Sequence, residues 1–412
     1  MKKIAIIIVI LLVLIAAVGG TLLFLNNSQK KNSFENNNIE ENIENVENEN
    51  LEIISDDFKQ DEITAEIEKG KIASEKSIYT DENSNRAVIP AGYGVVKDTS
   101  TINKGLVISD IADDDMQNSK GGNQFVWIPV ATPFLDLSNC KTEDEINSSL
   151  KNETSQGKYP MAIRLANGNY AGVLYKFEQV KENTSISITP EVYGKNAIRK
   201  EPSATSGQNE NYQNEFNNIA KQVRNDGGFW IARFETSLNE QTNKAESKKN
   251  RNVLTNKNWF ELYEIEKTLS TQNTTSGMIW GCQWDQIMIL FKDVENAQGS
   301  QSHFYILDST NAGNYSDLEI RDGKNVIKKA GEAVRYPTGY IDNFEIFGIY
   351  DLAGNAFEWT MEEYYGSTRV LRGGYCAYDG KTYPVASRTG IVPNYSGEER
   401  IIANTGSRMI LY

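Results

Sequence analysis

With one histidine and three cysteines in 412 residues, this chain is short of the side chains that most often hold metals or attack substrates. A centre built on several imidazoles is excluded by counting, since His303 stands alone. Cys140, Cys282 and Cys376 lie far apart and form no Cys-x-x-Cys pair. One disulfide could form, but neither a disulfide framework nor a thiolate zinc cage could. Cations are also scarce, with 42 Lys and Arg against 56 Asp and Glu for a net charge of −14. The small cluster Lys248, Lys249 and Arg251 suits a solvated loop better than a nucleic-acid face. There is no Gly-x-Ser-x-Gly elbow, P-loop or dinucleotide fingerprint. No repeat of 20–50 residues suggests a solenoid or propeller.

Uncharged apolar sequence of any length occurs once, at residues 4–25 behind Lys2 and Lys3. As a helix that run reaches about 33 Å, enough to cross a bilayer core of about 30 Å. The two lysines place the N-terminus in the cytoplasm. Residues 1–27 are therefore expected to be an uncleaved membrane anchor. A cleaved signal peptide is the alternative, since Ala16, Ala17 and Gly19 supply small residues. Either way, the bulk of the chain is expected outside the cytoplasm, on a single-pass cell-membrane protein.

Residues 33–69 carry thirteen acids against Lys59 and Lys69, which is −11 of the net −14. Self-repulsion and few apolar groups predict a disordered, extended acidic stalk, assigned to residues 28–84. Residues 85–412 are expected to form one head. Strands are predicted around 87–89, 106–110, 124–130 and 229–234, each a short apolar run bounded by turn residues. Helices are predicted at 214–224 and 284–291 from apolar spacing. The polar stretch 239–251 is expected to be a mobile loop. Few helices, many short strands and long connections make the class α+β.

Seven segments resemble the formylglycine-generating enzyme (sulfatase-modifying factor) family, whose fold is C-type-lectin-like. They are 89–92 (IPAG), 229–236 (FWIARFET), 278–286 (MIWGCQWDQ), 348–359 (GIYDLAGNAFEW), 369–374 (RVLRGG), and the closing 386–388 (ASR) with 406–411 (GSRMIL). The likeness is most specific after residue 348. By itself, the 348–359 block suits calcium: Asp351 and Glu358 offer carboxylates, and Gly354 lets carbonyls turn inward. The resemblance implies a calcium ion held by Asp351, Gly354, Ala356 and Glu358, the middle two through main-chain oxygen. The alternative is an empty loop in which Glu358 pairs with an arginine such as Arg372. Phe357 and Trp359 are expected in the core.

The resemblance also frames what is missing. Enzymes of the family bind copper with two cysteines after Gly-Gly-Ser; here Gly373 and Gly374 are followed by Tyr375 and Cys376, with no second cysteine before Arg388. Iron-dependent relatives need three histidines. Cys376 is expected to be a packing residue and His303 a structural strand residue. Residues 308–319 carry EF-hand anchors at Asp308, Gly313 and Glu319, but Thr310 and Ala312 spoil the loop.

Two functions follow. The first is a membrane-tethered, surface-displayed binding module that recognises an extracellular protein or glycan. In binding relatives the ligand face lies between the Arg-Gly-Gly strand and the last strand. That segment here carries Tyr375, Tyr378, Tyr383, Asn394 and Tyr395, an aromatic and amide mixture suited to adaptable contacts. The second is an oxidoreductase or other enzyme of the same scaffold with a degenerate site.

Overall fold

The computed structural model describes residues 63–116, 121–180, 186–202, 211–293, 302–365, 368–394 and 403–412. The expected anchor, most of the expected stalk and Tyr395 lie outside them. Among the described residues, no helix is long and apolar enough to cross a membrane.

Strict alternation builds the central six-stranded sheet. Its order is Ser276–Met278, Met409–Leu411, Gly228–Ala232, Gln124–Pro129, Val107–Ser109, Gly94–Val95, antiparallel throughout. Phe125, Trp127, Trp230, Ala232, Met409 and Leu411 face one apolar cluster. Their neighbours Val126, Ile128, Phe229, Ile231 and Ile410 face a second, larger one. Successive side chains point to opposite faces, so this sheet is covered on both.

A second sheet, of five strands, is built around Phe357–Tyr364. Thr368–Arg372 pairs with it antiparallel, with Glu358 opposite Arg372 and a bulge between Trp359 and Glu363. Arg199–Lys200 adds an edge strand, Thr389–Ile391 extends the other side, and Thr405–Ser407 joins in parallel. Thr405–Ser407 and Met409–Leu411 belong to different sheets, so the chain changes sheet at Arg408.

The predicted helices form, somewhat longer than expected. Tyr212–Asp226 buries Tyr212, Phe216, Ile219, Ala220 and Val223 and ends at Gly227 in the left-handed region. Gly281–Asp293 contains the second. Two further helices, Glu143–Ser155 and Trp259–Glu266, open on capping boxes at Thr142/Glu145 and Asn258/Glu261. The fold is mixed α+β, mostly sheet.

Three expectations need correction. The fold begins before residue 85: Ser77–Thr80 pairs with Arg86–Ile89, and Ala73 and Ile78 are buried. The acid Asp81 is itself buried, accepting the N–H groups of Asn83, Asn85 and Ile102 at 2.9 Å each. The stretch 239–251 is no open loop, since Ser237–Asn239 pairs with Lys244–Glu246, and Ala245, Glu246 and Ser247 are buried. His303 lies in a short helix, Ser302–Leu307, rather than a strand.

Candidate functional site

Two neighbouring features occupy the 348–383 region. The first is a buried charged corner. Asp351 and Asn355 both adopt the left-handed backbone, which short polar residues tolerate. Gly354 does so as well, and a Cβ there would meet the Asn314 carbonyl oxygen at 2.6 Å, so only glycine fits. The tight turn holds Asp351 and Glu358 fully inside the protein beside Glu235, which sequence reasoning gave no role. Glu235 Oε2 accepts the Asn355 amide at 2.6 Å, and its Oε1 accepts the Ala356 N–H at 3.1 Å. The signal for Glu235 was an acid close behind the apolar strand Gly228–Ala232, a position that demands a partner.

Arg408 is the cation of this corner. Its Nε lies 3.1 and 3.0 Å from the two Glu358 oxygens, and a terminal nitrogen lies 2.6 Å from Oε1. The same guanidinium donates to the carbonyls of Ala232 at 3.1 Å and Tyr350 at 2.9 Å. The expected alternative partner, Arg372, stands opposite Glu358 in the register but turns to Asp285 and the Ala386 carbonyl instead. Burial raises all three carboxyls: Asp351 to about 6, Glu358 despite Arg408, and Glu235 furthest, because Asp351 and Glu358 add their charges to its burial. Glu358 raises Arg408 in turn, against the cost of burying it.

As arranged, both Glu358 oxygens are engaged by Arg408, and Asp351 Oδ2 accepts the Gly339 N–H at 2.7 Å. A calcium ion would share these oxygens with protein donors and rely on the Gly354 and Ala356 carbonyls. No group of three or more His, Cys, Asp and Glu among the described residues is placed to hold a metal.

The second feature is a tyrosine cluster. Gly374 has φ +74°, and a Cβ there would come within 2.4 Å of the Tyr383 carbonyl oxygen, so glycine lets the chain double back. Tyr315 Oη bridges the carbonyls of Gly373 and Tyr383 at 2.7 and 2.9 Å and holds the turn shut. Tyr378 stacks on Tyr383 with centroids 4.4 Å apart, Tyr375 meets Tyr378 edge-on at 4.6 Å, and Phe357 underlies all three. Tyr375 is buried, Tyr383 half-buried and Tyr378 36% exposed. Asn394 is exposed beside Pro393, whose carbonyl accepts the Trp259 N–H at 3.1 Å.

Cys376 lies beneath this turn, buried, with its N–H donating to the Asn355 carbonyl at 3.2 Å. All three cysteines are free. Burial pushes the Cys376 thiol up to about 11, against the pull of Arg335 and Lys328, so it is not an activated thiolate.

No family model and no curated protein matches the chain. Among solved structures it is similar to Treponema denticola variable protein 1, at 14% identity over 58% of this chain and 95% of that chain. The TM-score is 0.21, an overlap too loose to speak for fold or function.

Proposed function

We propose that residues 63–412 are a binding module on a formylglycine-generating-enzyme-like scaffold, tethered to a membrane by residues 4–25 and displayed outside the cytoplasm. Its ligand is an extracellular protein or glycan. The observation that carries this reading is the 374–383 turn. A rigid stack of Tyr378 on Tyr383 offers an aromatic face at the surface, anchored from below by Phe357 and Tyr375. Rigid aromatics give large contact area at low entropic cost. Cys376, the nearest nucleophile, is covered by the same turn, with its thiol held protonated, which favours recognition over redox turnover.

The test is the full chain in detergent, probed on glycan and protein arrays, with Tyr378→Ala as the comparison. Loss of at least tenfold in affinity with an unchanged melting temperature supports the reading. A hit that Tyr378→Ala leaves intact moves the ligand face elsewhere. Copper-dependent thiol oxidation abolished by Cys376→Ser would replace binding by catalysis.

Calcium at Asp351, Gly354, Ala356 and Glu358 belongs to the same proposal. Its role is structural, stiffening the corner on which the tyrosine turn rests, and no chemistry passes through it.

A further inference from the structure

On another side of the molecule, a cavity of about 270 Å³ opens between the 191–202 segment, the Tyr170–Gly172 strand and the helix Tyr212–Asp226. Leu165, Tyr170, Val192 and Phe216 line it, and so does Glu201. The Glu201 side chain runs inward past Gly172, where a Cβ would lie 2.6 Å from Glu201 Cγ and 3.1 Å from Cys282 Sγ. Its Oε1 accepts the Cys282 N–H at 2.5 Å, while its buried Oε2 has no hydrogen-bond partner.

A second orphaned oxygen lies close by. Glu362 is fully buried; its Oε1 accepts from Arg388 at 2.8 Å, and its Oε2 has no partner. Both carboxyls converge on Gly281, where a Cβ would be 2.7 Å from Glu362 Oε2 and 2.9 Å from Glu201 Oε1. The one cation bound to Glu362 here, Arg388, is shared with Asp285, and Arg372 is also committed to Asp285. Three buried acids, Glu201, Glu362 and Asp285, thus meet two guanidinium groups, Arg372 and Arg388, and Glu201 is the one that neither binds.

We propose that Glu201 is a pH-operated latch: its neutral carboxyl fastens the 199–202 segment over the interior, and its ionisation frees that segment and bares Cys282. The segment is poised to move. Its backbone is held to the sheet by a two-residue edge pairing, Arg199 to Tyr364 and Lys200 to Glu363, with the Tyr365 N–H donating to the Ile198 carbonyl beside it; the side chains add exposed or half-buried ion pairs, Lys200 with Glu363 and Arg199 with Glu191, and the cavity alongside gives room. The groups that act most on Glu201 are Glu362 from the Phe357–Tyr364 strand, and Cys282 and Asp285 from the helix Gly281–Asp293, while Glu191, Lys195, Arg199 and Lys200 line the same cavity from the segment itself. The contact from the helix Tyr212–Asp226 is the uncharged Phe216, at Gly172. Burial first, then the charge of Glu362, push Glu201 up to about 8.

The sign follows from proton counting. In the open form Glu201 titrates as an ordinary carboxyl, near 4.5, so between that value and about 8 the closed form holds one more proton. The latch is therefore tight at acidic pH and weakens as pH rises, by up to about tenfold in the opening equilibrium per pH unit across that window.

The experiment is alkylation of the full chain by iodoacetamide at pH 5.5 to 8.5, followed residue by residue by peptide mass spectrometry. Each rate is divided by that of a model cysteine peptide at the same pH. The corrected Cys282 rate should rise at least 100-fold between pH 5.5 and 8, while that of Cys376, which does not face Glu201, stays flat. Glu201→Gln, the isostere of the neutral acid, should make Cys282 slow and pH-independent. Should that variant not fold, hydrogen exchange of the Lys200 and Cys282 amides in the unmodified chain reads the same opening, and it should steepen beyond the intrinsic pH dependence. A flat corrected Cys282 rate in the unmodified chain, an unchanged slope in Glu201→Gln, or exchange that follows only the intrinsic dependence overturns the latch.

Discussion

Arg408→Met is the most informative single perturbation of the charged corner, because it removes the charge while keeping much of the volume. Arg408 is fully buried, binds Glu358 through both oxygens, and donates to two carbonyls. Removing one partner of a buried ion pair costs about 3–5 kcal/mol, because the other charge is left uncompensated. The orphaned carbonyls of Ala232 and Tyr350 add about 1 kcal/mol each. The expected loss is thus about 5–7 kcal/mol, comparable to the whole stability of an ordinary domain, about 5–15 kcal/mol. Urea unfolding followed by tryptophan fluorescence measures it, since Trp127, Trp230, Trp259, Trp280, Trp284 and Trp359 are all buried reporters. The double variant Arg408→Met with Glu358→Gln should recover about 2 kcal/mol or more relative to additivity, because it discharges the stranded acid. A loss below about 1 kcal/mol in the single variant, or strict additivity in the double, would refute the idea that this pair ties the corner together.

Two further outcomes test other parts of the account. Asp81→Ala should destabilise by about 2–3 kcal/mol, since it strips the acceptor from three backbone N–H groups. Burial works to raise Asp81, but the N–H groups of Ile102, Asn85 and Asn83 prevail and lower it. Its contribution is therefore complete above the ordinary carboxylate range and is lost as pH falls through the lowered value, which acid titration of the melting temperature shows in the unmodified chain and not in the variant. For calcium, millimolar CaCl₂ should raise the melting temperature of the full chain and leave Asp351→Ala unmoved. Equal responses in the two proteins would remove the ion from this corner.

The strands of the central sheet were legible because alternation in single short runs, such as Phe125 to Ile128, already states which face each residue takes. The long amphipathic helix was legible for the same reason at a different period. Residues 63–84 were misassigned because charge was taken as a proxy for solvation. Asp81 shows the exception, an acid satisfied by backbone donors inside the fold. The 237–246 hairpin was missed likewise, its polar side chains meeting one another, as Lys248 and Asn239 do at Glu246. Pairing among arginines was beyond a single sequence: Arg372 and Arg408 are equally plausible partners for Glu358 on paper, and the decision lies in how two sheets approach each other. Glu201 gave no local signal, since the groups that perturb it come from 81 to 161 positions away.

The position of residues 409–411 has a consequence for biosynthesis. They are inserted between Ser276–Met278 and Gly228–Ala232, two segments that precede them by more than a hundred residues. Until the ribosome has released this stretch, one flank of the central hydrophobic layer stays open, with the backbone of Trp230 and Ile231 available to any other extended polypeptide. Completion of the sheet is then slow, limited by closure of a very large loop. Chains that lack residues 409–411 would be expected to accumulate as sticky, chaperone-dependent species rather than as slightly weakened proteins.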